Sequence, residues 1–223
     1  MASLQTLSLA HLPPDLAVHI ALYTDLQNAP FLRDQLLQGN PDFEYALIDA
    51  SVIISTTHVL AAVFRAANDY LNGRLKSRNV HSEIVFSLGA NNNIAQSLRT
   101  FGIGPTSTTL LAIKLATTPA ITPSTVSAHL ASSVKGTAVA FSDATLATTA
   151  DVGKIRKVYK LGGVGGGGGD PKGKRRRKDG SEEGSGGGGG GGGGVGTAGL
   201  DGEGERRELE VAILGLMALR GAV

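Results

Sequence analysis

From Gly162 to Gly204 the chain is polyglycine broken by a basic run and short acidic patches. Such a stretch has almost no apolar groups to set against the ordering entropy of its residues, and glycine has the most of that entropy to lose. Whatever folds must do so from residues 1–161 and 205–223, with 162–204 between them as a disordered insertion. Closing so long a loop costs little more than closing a medium one, because closure entropy grows only logarithmically with length. The reading is one compact α/β domain over 1–161, the insertion, and a C-terminal helix over 205–223 that completes the domain.

Within 1–161 the hydrophobic periodicity places the elements. Val18, Ile20 and Leu22 alternate with Ala17, His19 and Ala21, as a half-buried strand requires. Asn28 is placed to cap a helix with Leu32, Leu36 and Leu37 inside, ended by Gly39-Asn40-Pro41. Tyr45 to Ile48 reads as a short strand. From Ser55 a helix runs to about Asn72 with Val59, Leu60, Val63, Phe64, Ala67 and Leu71 inward, stopped by Gly73. After a basic, irregular stretch from Arg74 to His81, Ile84, Phe86 and Leu88 alternate in a predicted strand ending at Gly89. Asn91, Asn92 and Asn93 then offer caps to a short helix with Ile94, Leu98 and Phe101 on its buried stripe, closed by Gly102, Gly104 and Pro105. Thr108 to Leu115 reads as a strand, Ser124 to Ser133 as a helix, and Ala138 to Phe141 as another strand. Asp151 caps a helix through Lys160 with Ile155, Val158 and Tyr159 inside. Because the strands alternate instead of being apolar throughout, a mixed or antiparallel sheet is expected, with helices packed on it.

Composition narrows the functions. Cysteine is absent, which excludes disulfides, thiolate zinc sites and cysteine nucleophiles. No apolar run approaches the roughly 18 residues of a membrane span, and the first residues lack the charge and apolar core of a signal peptide, so neither is expected. A net charge of +2 is too small to announce nucleic-acid binding in bulk, and with no tryptophan and 4 % aromatics a base-stacking surface is not indicated. Any RNA contact must come from a local patch.

Each candidate site has a plain alternative. Arg65, Arg74, Lys76 and Arg78, with Arg99 and Lys114 nearby, suit phosphate contacts or simply a solvated face with charges at a helix C-terminus. Asn91, Asn92 and Asn93 suit a phosphate at a helix N-terminus or ordinary capping. Lys172, Lys174, Arg175, Arg176, Arg177 and Lys178 form a compact basic run of the kind nuclear-import receptors read, or a solvated charge break. Leu209, Ile213, Leu216 and Leu219 share a face of the last helix that serves a partner or the domain's own core. The histidines form no metal-binding pair, His58 reads as a packed residue, Asp49, Ser51 and Ser55 form no nucleophile motif, and the glycine tract matches GxGxxG by repetition alone. No catalytic residue, metal or cofactor is assigned.

Three stretches, in order, carry a resemblance: THVLAAVFRAANDYLNGRLKSRNVHSEIVFSLGANNNIAQSLRTFGI, then DVGKIRKVYKL, then the terminal apolar helix. Together they resemble the PRPK-binding protein family, the Cgi subunits of the KEOPS (also EKC) complex, most specifically in EIVFSL followed by NNNIAQSLRTFGI. The likeness extends more loosely from about Leu12 to Leu161. It implies a non-catalytic subunit that binds the PRPK-type kinase and, through it, the other subunits. It further implies a part in recruiting tRNA, by its acceptor end, for N6-threonylcarbamoyl transfer to the adenosine beside the anticodon. The glycine tract departs from the family's short connection. On this resemblance Leu209, Ile213, Leu216 and Leu219 are assigned to the kinase, and Arg65, Arg74, Lys76, Arg78, Asn91, Asn92, Asn93 and Arg99 to tRNA. A nuclear and cytoplasmic location is expected, with roles of the complex at telomeres and in transcription. The competing readings are a small enzyme with an unrecognised α/β pocket and a free-standing nuclear RNA-binding protein.

Overall fold

The computed structural model describes residues 4–162 and 198–220. In chain order the elements are β1 (Gln5–Leu7), β2 (Val18–Thr24), α1 (Ala29–Leu37), β3 (Ala46–Ile48), α2 (Thr56–Leu71), α3 (Val80–Ser87) and α4 (Ile94–Phe101). After these come β4 (Leu110–Leu115), α5 (Pro123–Ser133), β5 (Thr137–Val139), α6 (Asp143–Thr149), α7 (Val152–Val158) and α8 (Ala198–Ala218). The sheet is antiparallel throughout, in the order β1-β2-β4-β3. β5 joins β1 on the same edge of β2, opposite Leu22–Thr24, while β1 lies opposite Val18–Ile20. Of the mixed or antiparallel sheet that the alternation led one to expect in an α/β domain, the antiparallel form is the one observed.

Strand β2 is more deeply enclosed than expected. Val18, Ile20 and Leu22, with Ile48, Leu111, Ile113 and Leu115, pack under α2, α3, α7 and α8. Ala21 and Tyr23, with Leu47, Leu110 and Ala112, pack against Leu32 of α1 and Val126 and Leu130 of α5. The alternation therefore separates two apolar faces, one of large branched side chains and one of smaller and aromatic ones, and no face of β2 is left to water.

The main correction is α3. Residues read as a strand ending at Gly89 form a helix, and Val80 and His81 belong to it instead of to the basic loop. Asn79 caps it, its side chain accepting from the Ser82 N–H at 2.8 Å. Val80, His81, Glu83, Ile84, Val85, Phe86 and Ser87 are all buried, polar residues included, so the apolar positions of this enclosed segment satisfied the two-residue period as well as the helical one. Smaller corrections follow the same cause. Leu37, Phe64, Leu71 and Leu98 are exposed where an inward position was predicted, since the inner stripes are His58, Val59, Ala62, Val63, Ala66 and Ala67 on α2, and Ser97 and Phe101 on α4. Asn28 does not cap α1: its side chain donates to the Ser133 carbonyl at 2.8 Å and accepts from the Lys135 N–H at 2.9 Å, tying α1 to the end of α5. Strand β1 and helix α6 were not anticipated, and α8 begins at Ala198 instead of Glu205. The rest of the glycine tract and the run Lys172 to Lys178 lie outside the described residues.

Other expectations hold through side chains. Ser55, Asn93 and Asp151 cap α2, α4 and α7. Gly102, at the end of the NNNIAQSLRTFGI stretch, passes so close to the Leu98 carbonyl that any Cβ would collide with it. The next residue, Ile103, hydrogen-bonds the Leu47 carbonyl at 2.9 Å and ties the end of α4 to β3.

His58 is wholly buried and hydrogen-bonded as a neutral ring. Its Nδ1 accepts from the Ile54 N–H, its Nε2 lies 2.8 Å from the Tyr159 hydroxyl, and that hydroxyl donates to the Leu88 carbonyl at 2.7 Å. Burial pushes its pKa down to about 3, and burial also lowers His19, His81 and His129. Between that value and the ordinary 6.5 the unfolded chain binds a proton at His58 that the folded chain refuses. Stability is therefore complete above pH 6.5 and falls as the pH drops through the window, by about 1.4 kcal/mol per pH unit for one such group. Urea melts at pH 7 and pH 4.5 are expected to show this loss, and His58→Gln should flatten the slope even if it lowers stability at pH 7. An equal slope in the variant would remove His58 from the account.

Candidate functional site

Helix α8 returns from the undescribed segment and is fastened to the domain along one side. Leu209, Ile213, Met217 and Arg220 form its buried stripe, with Ile213 at 0 % exposure. Polar contacts flank the stripe: Arg65 donates to the Met217 carbonyl at 2.7 Å, Arg206 to the Ile54 carbonyl, Arg220 to the Phe86 carbonyl, and the Ser55 hydroxyl to Glu210. The helix carries apolar groups on several sides, so the sequence offered more than one possible stripe. Spacings of four, four and three won. Leu209 and Ile213 thus belong to the protein's own core, Leu216 is half-buried against it, and Leu219 points outward at 59 % exposure beside Val211 at 64 %. Of the four residues assigned to a partner, only Leu219 stands free.

The basic residues also divide. Arg65 is spent on α8 and Arg74 pairs with Asp69 at 3.4 Å. Arg78 and Arg99 come together, with Arg33 of α1, around a cavity of about 630 Å³ whose floor includes Leu36, Leu98 and Ile103. Gly39, at φ +69°, leaves room for the Arg78 guanidinium against the backbone of this wall. Lys76 is exposed on the adjoining loop. Among the described residues none of Arg33, Lys76, Arg78 and Arg99 has a carboxylate within ion-pair distance. Arg33 was missed because it is far in sequence from the basic loop. Lys114 does not line the cavity itself but packs on two residues of its wall, donating to the Glu44 carbonyl at 2.5 Å and lying over the Tyr45 ring.

A match to the family model described as "Kinase binding protein CGI-121" covers residues 23–221, from β2 through α8. The chain belongs to this family. Among curated relatives, "EKC/KEOPS complex subunit cgi121" of Aspergillus terreus is 50 % identical over 222 residues, 99 % of this chain and 98 % of the relative. The subunit of the same name from Coccidioides immitis is 54 % identical over 165 residues, 74 % of this chain and 80 % of the relative. That of Schizosaccharomyces pombe is 30 % identical over 148 residues, 66 % and 84 %. The Aspergillus alignment spans nearly the whole of both chains.

The remaining candidates of this family member have structural duties. Asn93 caps α4 by accepting from the Gln96 N–H at 2.9 Å, and Asn91 accepts from the Asn93 N–H at 2.9 Å, which leaves Asn92 as the exposed amide without such a bond. Asp49 and Ser51 do meet a base, Lys154, whose Nζ lies 2.8 Å from Asp49 and 2.9 Å from Ser51. Burial works to raise the Asp49 pKa, but hydrogen bonds from Lys154 and Ser51 outweigh it and hold the carboxyl below its usual range. Lys154 thus donates to both side chains and ties α7 to the turn that follows β3.

Because Ile213 is core and Leu219 is surface, the two truncations should part. Ile213→Ala is expected to cost about 2–5 kcal/mol in urea denaturation, and Leu219→Ala less than about 0.5 kcal/mol. Equal losses would mean that α8 is docked through another face.

Proposed function

We infer that the chain is a non-catalytic binding subunit of an EKC/KEOPS complex. It holds the PRPK-type kinase and helps recruit tRNA for N6-threonylcarbamoyladenosine formation. The observation that carries the kinase half is the division of α8: its inner stripe is bound into the domain, yet Val211 and Leu219 stand exposed on the same helix, an arrangement suited to a second apolar partner. The family description and the names of the relatives support that partner, through which the other subunits are reached. Val211→Glu and Leu219→Glu are expected to weaken kinase association at least tenfold by calorimetry, since an apolar contact would then bury an unpaired charge, with melting temperatures little changed. Full affinity in both folded variants would move the interface off α8.

For tRNA, the supporting geometry is Arg33, Arg78 and Arg99 lining one cavity, with Lys76 exposed two residues before Arg78, all without a carboxylate at ion-pair distance among the described residues. Phosphate contacts of this kind bind without reading sequence, as a subunit serving several tRNAs requires. The triple reversal Lys76→Glu, Arg78→Glu, Arg99→Glu should weaken tRNA binding most at low salt and reduce the salt slope by about one per lost contact. The loss should be alike for tRNAs of different anticodon, and an unchanged slope in filter binding would take RNA away from this site. The run Lys172 to Lys178 supports a nuclear share of the protein beside a cytoplasmic one.

A further inference from the structure

The cavity that gathers Arg33, Arg78 and Arg99 also has Glu44 in its wall, the only carboxylate among the described residues that line it. Glu44 is held between two ordered pieces, the helical turn Pro41–Phe43 before it and the start of β3 after it, and its carbonyl takes the Lys114 ammonium. The side chain is 42 % exposed, and its Oε1 lies 3.8 Å from Nδ1 of His81. His81 Nε2 accepts the Leu115 N–H at 3.1 Å, so the proton of the neutral ring sits on Nδ1, the nitrogen that faces Glu44. That N–H is buried and makes no hydrogen bond among the described residues. The His81 ring, followed by the charges of Lys114 and Arg78, holds the Glu44 carboxyl below its usual range in spite of partial burial.

A carboxylate does not suit a cavity that takes phosphate alone. Ionised, it repels the anion and has no proton to donate to it. The arrangement fits a ligand that brings a hydroxyl beside its anion, because the hydroxyl can then give the carboxylate a charge-assisted hydrogen bond. The ribose of RNA carries such a donor at its 2′ position, and the sugar of DNA does not. A volume of about 630 Å³ leaves space for a sugar beside its phosphate.

We propose that Glu44 is the sugar-reading residue of this site, accepting a hydrogen bond from a ribose 2′-hydroxyl while Arg78 and Arg99 take the adjoining phosphate, and that it makes the subunit prefer RNA to DNA. The proposal rests on the tRNA reading. It adds a selectivity that phosphate contacts cannot supply, because the phosphates of RNA and DNA are alike. DNA leaves the carboxylate beside a phosphate with no donor to meet it, so acceptance of RNA and rejection of DNA come from the same group.

The test is filter binding of the full chain, at one low salt concentration, to three single strands of the same sequence: RNA, DNA, and 2′-O-methyl RNA, which keeps the 2′ oxygen but has no proton there to donate. The parent protein is expected to bind RNA at least about tenfold more tightly than either of the others, the scale of one hydrogen bond to a charged group. In Glu44→Ala the affinity for DNA should rise and the preference for RNA fall below about threefold. Glu44→Gln loses the charge yet keeps an acceptor oxygen, so its preference should lie between those two. Melting temperatures establish that each variant is folded, and should Glu44→Ala not fold, Glu44→Gln decides the matter by the same reading. Equal binding of RNA and 2′-O-methyl RNA by the parent, or an unchanged preference in a folded variant, overturns the proposal and leaves the tRNA reading standing. RNA binding that is absent, or untouched by the reversal of Lys76, Arg78 and Arg99, removes the tRNA reading and the role of Glu44 with it.

Discussion

A helix buried on every side must find partners for its polar groups inside the protein, and α3 meets that demand by drawing three other segments to it. His81 accepts the Leu115 N–H at 3.1 Å and so fixes α3 against the sheet. Glu83 takes two backbone amides of the basic loop, and the carbonyl of Phe86 takes the guanidinium of Arg220. Each bond replaces one that water would have made, and losing any of them leaves a buried group unpaired at about 1–3 kcal/mol. The loop, the sheet and the last helix are thus placed by the needs of eight residues.

The same economy explains why α8 is docked by arginines as well as by apolar side chains. Leu209, Ile213 and Met217 supply the buried area, but the helix returns after a long segment and has no short connection to set its register. Arg65 on the Met217 carbonyl and Arg206 on the Ile54 carbonyl fix that register by directional bonds. A helix so held can leave Val211 and Leu219 outside without risk of rolling to bury them. Apolar surface of this kind is what a partner helix or lobe uses.

Much of this was legible in the sequence wherever one signal stood alone. Ser55, Asn93 and Asp151 are side-chain caps that lie just before periodic apolar residues, and they mark the starts of α2, α4 and α7. The alternation of β2 was legible too, although not that both faces are covered. VHSEIVFS misled because its apolar residues fit both periods and its polar ones are buried as well, and Asn79 three residues before Ser82 was the local signal for a helix. On α8 the surplus of leucines hid which stripe faces in, because Arg220 and not Leu219 completes it. At the site, Arg78 and Arg99 were legible as basic residues near NNNIAQSLRTFGI, whereas Arg33 reaches them only through the packing of α1. Arg65 was indistinguishable from its neighbours until its bond to α8 was seen.

In the proposed assembly α8 turns one apolar face to its own domain and another to the kinase. Methyl NMR of the chain, titrated with the PRPK-type kinase, addresses it directly, because Val211, Leu219, Leu209 and Ile213 report the two faces separately. The Val211 and Leu219 methyl signals are expected to shift on kinase addition while those of Leu209 and Ile213 hold their positions. Unmoved Val211 and Leu219, with shifts gathered instead at Leu37 and Leu98 near the arginine-lined cavity, would contradict it.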